Sequence, residues 1–135
     1  MDEPSELAEH ILDQMADAAI YADRAGRIVR WNRAAAALFG YSAEEALGQS
    51  LDLIIPEHLQ AAHWRGFEAA MTSGVMKLQG RPTLTRAVHK GGRKLYVELT
   101  FAIVSSGAAG DVFGSVAVAR DVTERVERER AARAS

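Results

Sequence analysis

Residues 93–105, RKLYVELTFAIVS, decide the fold. Leu95, Val97, Leu99, Phe101 and Ile103 alternate with Tyr96, Glu98, Thr100 and Ala102. Successive side chains of a strand point to opposite faces, so this period of two predicts a strand with one buried face. Lys90-Gly91-Gly92 precedes it as a hairpin turn, which makes residues 82–89 the neighbouring strand. Residues 106–110 are a looser turn into a third run of strand character, Val112–Asp121.

Upstream the pattern changes. Ala19–Ala22 and Arg27–Trp31 read as short strands around Asp23-Arg24-Ala25-Gly26, a loop whose late glycine suits a type I turn followed by a left-handed residue. Asn32 is placed to cap a small-residue helix over Arg33–Phe39, with Gly40 at its end. Ser42-Ala43-Glu44-Glu45 has capping-box spacing, which predicts a further short helix ended at Gly48, and Asp52 begins another turn. Residues 4–18 read as an amphipathic helix capped by Ser5, with Leu7, Ile11, Met15 and Ala18 on one face. Two strands, several helices and three strands argue an antiparallel α+β domain with its helices on one face of the sheet. The expected division is a helix over residues 1–18, the domain proper over 19–121 and a charged connector helix over 122–135. In that connector only Val122 and Val126 are clearly apolar, so it is not expected to stabilise itself by burial within this domain.

The long helix is the chemically interesting one. In LDLIIPEHLQAAHWRGFEAAMTSG, residues 51–74, Pro56 suits a helix start and Gly74 its end. Leu59, His63, Phe67 and Ala70 follow at steps of four, four and three and share one face, so one imidazole sits within an apolar stripe. It can be a ligand, a pH-sensitive group or a core histidine bonded to a backbone carbonyl. His10, His58 and His89 are expected at the surface, and Trp31 and Trp64 in core packing.

Composition narrows the chemistry. In 135 residues there are 16 Lys and Arg against 18 Asp and Glu, a net charge of −2, which gives no case for nucleic acid or an anionic membrane as partner. The absence of cysteine removes disulfides, thiolate nucleophiles and Cys-ligated metals together. No apolar run approaches the ~20 residues of a membrane span, and no signal peptide is evident, so a cytoplasmic location is expected. Glu44, Glu45 and Glu57 stand at helix starts, where capping and dipole effects account for them. No nucleophile–base order, phosphate-binding loop or metal cluster is present, so the chain is not expected to be an enzyme.

Taken together, AAIYADRAGRIVRWNRAAAALFGYSAEEALGQSL, IIPEHLQAAHWRGFEAAMTSG, HKGGRKLYVELTFAIV and DVTER resemble a PAS domain over roughly residues 17–125. The resemblance implies a five-stranded antiparallel sheet of order 2-1-5-4-3, a ligand cleft between sheet and helices, and a sensory or dimerising role in signalling proteins such as two-component kinases. It also implies that Asp121 and Thr123, the Asp-x-Thr end of the last strand, pass the signal to the helix that follows and so to an output domain beyond residue 135.

Within the family, Ile55-Pro56-Glu57, His63 and Thr72-Ser73-Gly74 resemble the haem-binding domains of bacterial oxygen-sensor kinases. That likeness implies His63 as the proximal ligand of haem iron, with Leu59, Phe67 and Ala70 as its neighbours. Such domains also carry an arginine on the third strand, and the corresponding position here is near Thr83, with Arg81 and Arg86 close by. Trp64 is bulky enough to border or fill the space. A flavin held without a thiol, and a small organic acid met by Arg81, Arg86 and Lys90, are the other cofactor and ligand readings. The rival class is a ligand-free interaction module, in which Leu7, Ile11 and Met15 and the outer sheet face make a homodimer.

Overall fold

A computed structural model describes residues 5–75, 80–107 and 110–134. Residues 1–4 of the expected N-terminal segment, 108–109 of the looser turn and 135 at the end of the connector lie outside the described residues. The elements run α1 (Leu7–Gln14), β1 (Ala18–Asp23), β2 (Ile28–Trp31), α2 (Arg33–Phe39), α3 (Ala43–Ala46), a 3₁₀ turn (Leu51–Ile54), α4 (Glu57–Ser73), β3 (Thr83–Val88), β4 (Lys94–Ser105), β5 (Val112–Asp121) and α5 (Thr123–Ala134). The strands form one antiparallel sheet of order β2-β1-β5-β4-β3.

The hairpin β1–β2 turns on Asp23, whose Oδ1 accepts from the backbone N–H groups of Ala25 and Arg27, and on Gly26 at φ 81°. Asn32 then caps α2 through Ala35 N–H, and Gly40 ends that helix at φ 83°. Ser42 and Glu45 complete a reciprocal capping box on α3. The core lies between the sheet and α2–α3, where Phe39, Ile28, Leu95 and Val97 are fully buried. Each such side chain contributes about 1.5–3 kcal/mol by leaving water. Trp31 packs on Phe39 with ring centroids 5.5 Å apart, and its indole N–H donates to the Tyr41 carbonyl at 2.9 Å.

Three expectations need correction. The N-terminal helix is Leu7–Gln14 and does not run on to residue 18, and no side chain among the described residues, Ser5 included, caps its start. Its last-turn carbonyl at Leu12 accepts from Asn32 Nδ2, Met15 is already extended, and Ala18 pairs with Ala119 in the sheet. His89 is half-buried, with its ring against Gly40 and its Nδ1 accepting from Gly91 N–H at 2.9 Å. Finally, the first turns of the charged α5 are not free of the domain, because Val122 and Val126 are buried and Arg125 faces Glu98 at 3.8 Å.

Candidate functional site

A cleft of about 430 Å³ lies between the sheet and the connecting helices. Ile54, Ile55, Leu59, Ala62 and His63 line one side, and Thr83, Thr85, Ala87, Val97, Leu99 and Phe101 of β3 and β4 line the other, with Phe39 between them. Thr83, Thr85 and Ala87 share a face of β3 because side chains alternate along it. The walls are apolar apart from His63, the two threonine hydroxyls and Arg86.

Of the four residues that helical spacing placed on one stripe, Leu59 and His63 line this cleft. Phe67 instead packs on His63 and Trp64, at 5.9 and 5.4 Å between centroids, and Ala70 lies farther along the helix, outside the lining. His63 meets Trp64 edge-on at 4.6 Å. Its Nδ1 is buried and has no hydrogen-bond partner among the described residues. Burial, which favours the neutral ring, pushes the imidazole below its ordinary pKa, opposed in part by the Asp52 carboxylate.

Trp64 does not fill the cleft. Its Nε1–H donates to Asp52 Oδ1 at 2.7 Å, and its ring lies on Gly26, where any Cβ would strike it. The cations proposed for an acid ligand are not gathered there either. Lys90 pairs with Glu45, and Arg81 is exposed. Arg86 borders the cleft, while its guanidinium stands 6.0 Å from the Tyr96 ring centroid. His10 and His58 are exposed.

At the far end of the sheet, Asp121 Oδ1 accepts from Thr123 N–H at 2.9 Å. Thr123 Oγ1 accepts from Tyr96 N–H at 2.9 Å, and the Tyr96 carbonyl accepts from Val122 N–H at 2.8 Å. The turn from β5 into α5 is therefore stapled to β4. Asp52 and Tyr96 are site residues that no local sequence pattern marks, because the bonds that recruit them reach across 12 and 27 positions. On α1, no residue is buried, and Ile11 is 58% exposed. No helix among the described residues is long and apolar enough to cross a membrane.

Comparison with known proteins gives this geometry a family. The PAS fold matches residues 12–127. The chain is 28% identical over 119 residues to the oxygen sensor protein DosP of Escherichia coli, covering 87% of this chain and 14% of that protein. It is 32% identical over 138 residues to the cell-division control histidine kinase PdhS of Brucella anthropi, covering 95% of this chain and 12% of that one. The chain thus spans only a small part of the length of these signalling proteins. The solved PAS domain of a protein from Colwellia psychrerythraea superimposes with a TM-score of 0.75 at 24% identity, covering 88% of this chain and 97% of that one. By fold, strand order and family match over most of its length, this chain belongs to the PAS family.

Proposed function

We propose that this chain is a non-enzymatic sensory module of a larger signalling protein. It takes a small ligand or cofactor into the cleft beneath α4 and passes the resulting change through Asp121–Thr123 to α5 and an output domain. One observation carries the reading, the buried Nδ1 of His63, which has no hydrogen-bond partner among the described residues and belongs to a side chain in the wall of an apolar cleft. A buried polar atom normally finds a partner, and an imidazole kept neutral by burial has its lone pair free for a metal.

Haem fits those residues. His63 would hold the iron, and Leu59, Ile54, Ile55 and Phe101 would face the macrocycle. When bound, haem supplies an iron centre that responds to diatomic gases or to redox state. The chain's own part is to fix the imidazole, through the contacts of His63 with Trp64 and Phe67, and to keep water from the apolar wall. The likeness to an oxygen sensor protein supports this choice. The test is an absorption spectrum before and after hemin is added, with His63→Ala alongside. A Soret band present in the wild type and lost or shifted in the variant supports the assignment. Absence of a band in both removes haem and leaves His63 a core residue.

A second reading is favoured by the exposed Ile11 on α1. Leu7 and Ile11, with Met15 in the segment just after the helix, would pair two copies of the chain. Leu7→Asp or Ile11→Asp should then lower the sedimentation coefficient, and an unchanged profile would count against this surface.

A further inference from the structure

The sheet face turned away from the cleft carries a cluster centred on Tyr96, one member of which, Arg86, also borders the cleft. Tyr96 of β4 has two guanidinium groups near its ring, Arg130 of α5 at 4.9 Å and Arg86 of β3 at 6.0 Å from the centroid. Arg86 and Tyr96 are register partners, so their side chains share a face. Arg86 Nε is buried and unpaired among the described residues, and a guanidinium within about 6 Å of a ring centroid is attracted to the aromatic face. The main chain of Tyr96 meanwhile holds the β5–α5 junction, bonding Val122 and Thr123. One residue therefore grips α5 twice, by its backbone at the helix start and by its ring about two turns later. On its opposite face β3 presents Thr83, Thr85 and Ala87 to the cleft.

We infer that Tyr96 is a positioning residue that ties α5 to the cleft-lining strand β3, through a stack of Arg86, the Tyr96 ring and Arg130. The relay part of the inference rests on the ligand-bearing cleft proposed above. The hold on α5 does not. A ligand that displaces β3 moves Arg86, and the shared ring passes that displacement to α5.

Hydrogen exchange of the α5 amides reads this directly. Tyr96→Leu keeps the backbone bonds and removes the aromatic face, and exchange beyond Val126 should rise about threefold, the size of one exposed cation–π contact. Tyr96→Phe should restore wild-type exchange. Arg86→Gln should also raise α5 exchange in the chain carrying Tyr96, and add nothing on top of Tyr96→Leu. Arg130→Gln repeats the Tyr96→Leu result without touching the sheet, which guards against a misfolded variant. Wild-type α5 exchange in Tyr96→Leu and Arg130→Gln overturns the hold of the ring, and full additivity of Arg86→Gln with Tyr96→Leu overturns the link to β3. With hemin as probe, α5 protection should change in the wild type and in Tyr96→Phe but not in Tyr96→Leu carrying the same Soret band, and a change surviving in Tyr96→Leu overturns the relay. If no variant takes up hemin, the cofactor reading fails, and the ligand-free cycle of Arg86 and Tyr96 decides the inference alone.

Discussion

The indole N–H of Trp64 donates to the Asp52 carboxylate at 2.7 Å, tying the middle of α4 to the 3₁₀ turn before it. Apart from Met71, no residue of α4 is fully buried, so this bond carries an unusual share of the helix's attachment. Trp64→Phe keeps a ring in place and loses the donor. The expected loss is about 1 kcal/mol, the net worth of one such bond at a half-exposed site. A urea unfolding midpoint equal to that of the wild type would show the bond to be idle.

Gly26 tests the same contact from the other side. It needs both a positive φ of 81° and the absence of a Cβ, since the Trp64 ring occupies that space. Gly48, at φ 86°, has nothing within 4 Å of a built Cβ. Left-handed strain alone costs about 1–2 kcal/mol, so Gly48→Ala should lose about that much. Gly26→Ala should lose clearly more and shift the tryptophan emission as the indole leaves its seat. Thermal unfolding of the pair separates strain from collision, and equal losses would remove the collision.

His63 makes stability depend on pH in a defined direction. Its folded pKa lies below the ordinary 6.5, because burial disfavours the imidazolium more than Asp52 favours it. Between those two values the unfolded chain binds a proton that the folded chain does not, so stability is complete above about pH 6.5 and falls as the pH drops toward the folded pKa. The side chains of Trp64 and Phe67, packed on the ring, carry no charge to offset this. His63→Leu should flatten the fall between pH 7 and pH 5 in urea titrations. An unchanged slope would place the pH dependence elsewhere.

Asn32 is a buried polar side chain, 2% exposed, with four hydrogen bonds. Its Oδ1 accepts from Ala19 and Ala35 N–H at 2.9 and 3.0 Å, and its Nδ2 donates to the Leu12 and Asp17 carbonyls at 2.8 and 3.1 Å. Asn32→Ala leaves four backbone groups without their partner, at about 1 kcal/mol or more each. Asn32→Asp keeps the acceptor but aims a second oxygen at two carbonyls, and it should be no better. A loss below about 2 kcal/mol in either variant would mean that water replaces these bonds.

Asn32 also marks where sequence reading stops. Its capping of α2 lies three residues away and was legible, as were the period of two in β4 and the glycine-marked turns. Its bonds to Leu12 and Asp17 span 20 and 15 residues, and they set the end of α1 that the helical pattern overran. The same limit governs the site. Helical spacing grouped Leu59, His63, Phe67 and Ala70, but how far the cleft runs beneath α4 depends on β3 and β4, so only the first two reach it. Trp64 announced its bulk and not its direction, which Gly26 and Asp52 decide. Arg86 could have faced either side until the register set it beside Tyr96. Val122 and Val126 were legible as the apolar residues of the charged last segment, but their burial was not, since it depends on how the start of α5 packs on the domain.

The junction that β4 supports yields the last prediction. Thr123 Oγ1 accepts from Tyr96 N–H at 2.9 Å and donates back to the Tyr96 carbonyl at 3.3 Å, a carbonyl that Val122 N–H also bonds. Thr123→Val conserves shape and removes the hydroxyl, leaving a partly buried N–H with no acceptor, so a loss of about 1–2 kcal/mol is expected. Thr123→Ser keeps the hydroxyl and should recover most of it. Because Asp121 still accepts from the backbone N–H of residue 123, the helix start itself survives in both variants. What Thr123→Val should change is the angle at which α5 leaves the sheet, not its helicity. The measurement is hydrogen exchange at Tyr96 and over the first turn of α5, beside far-ultraviolet circular dichroism. Faster exchange at Tyr96 with unchanged helicity is the expected pair. Loss of helicity along with the bond would mean that α5 depends on the hydroxyl to form at all, and the turn would then be a folding nucleus rather than a joint.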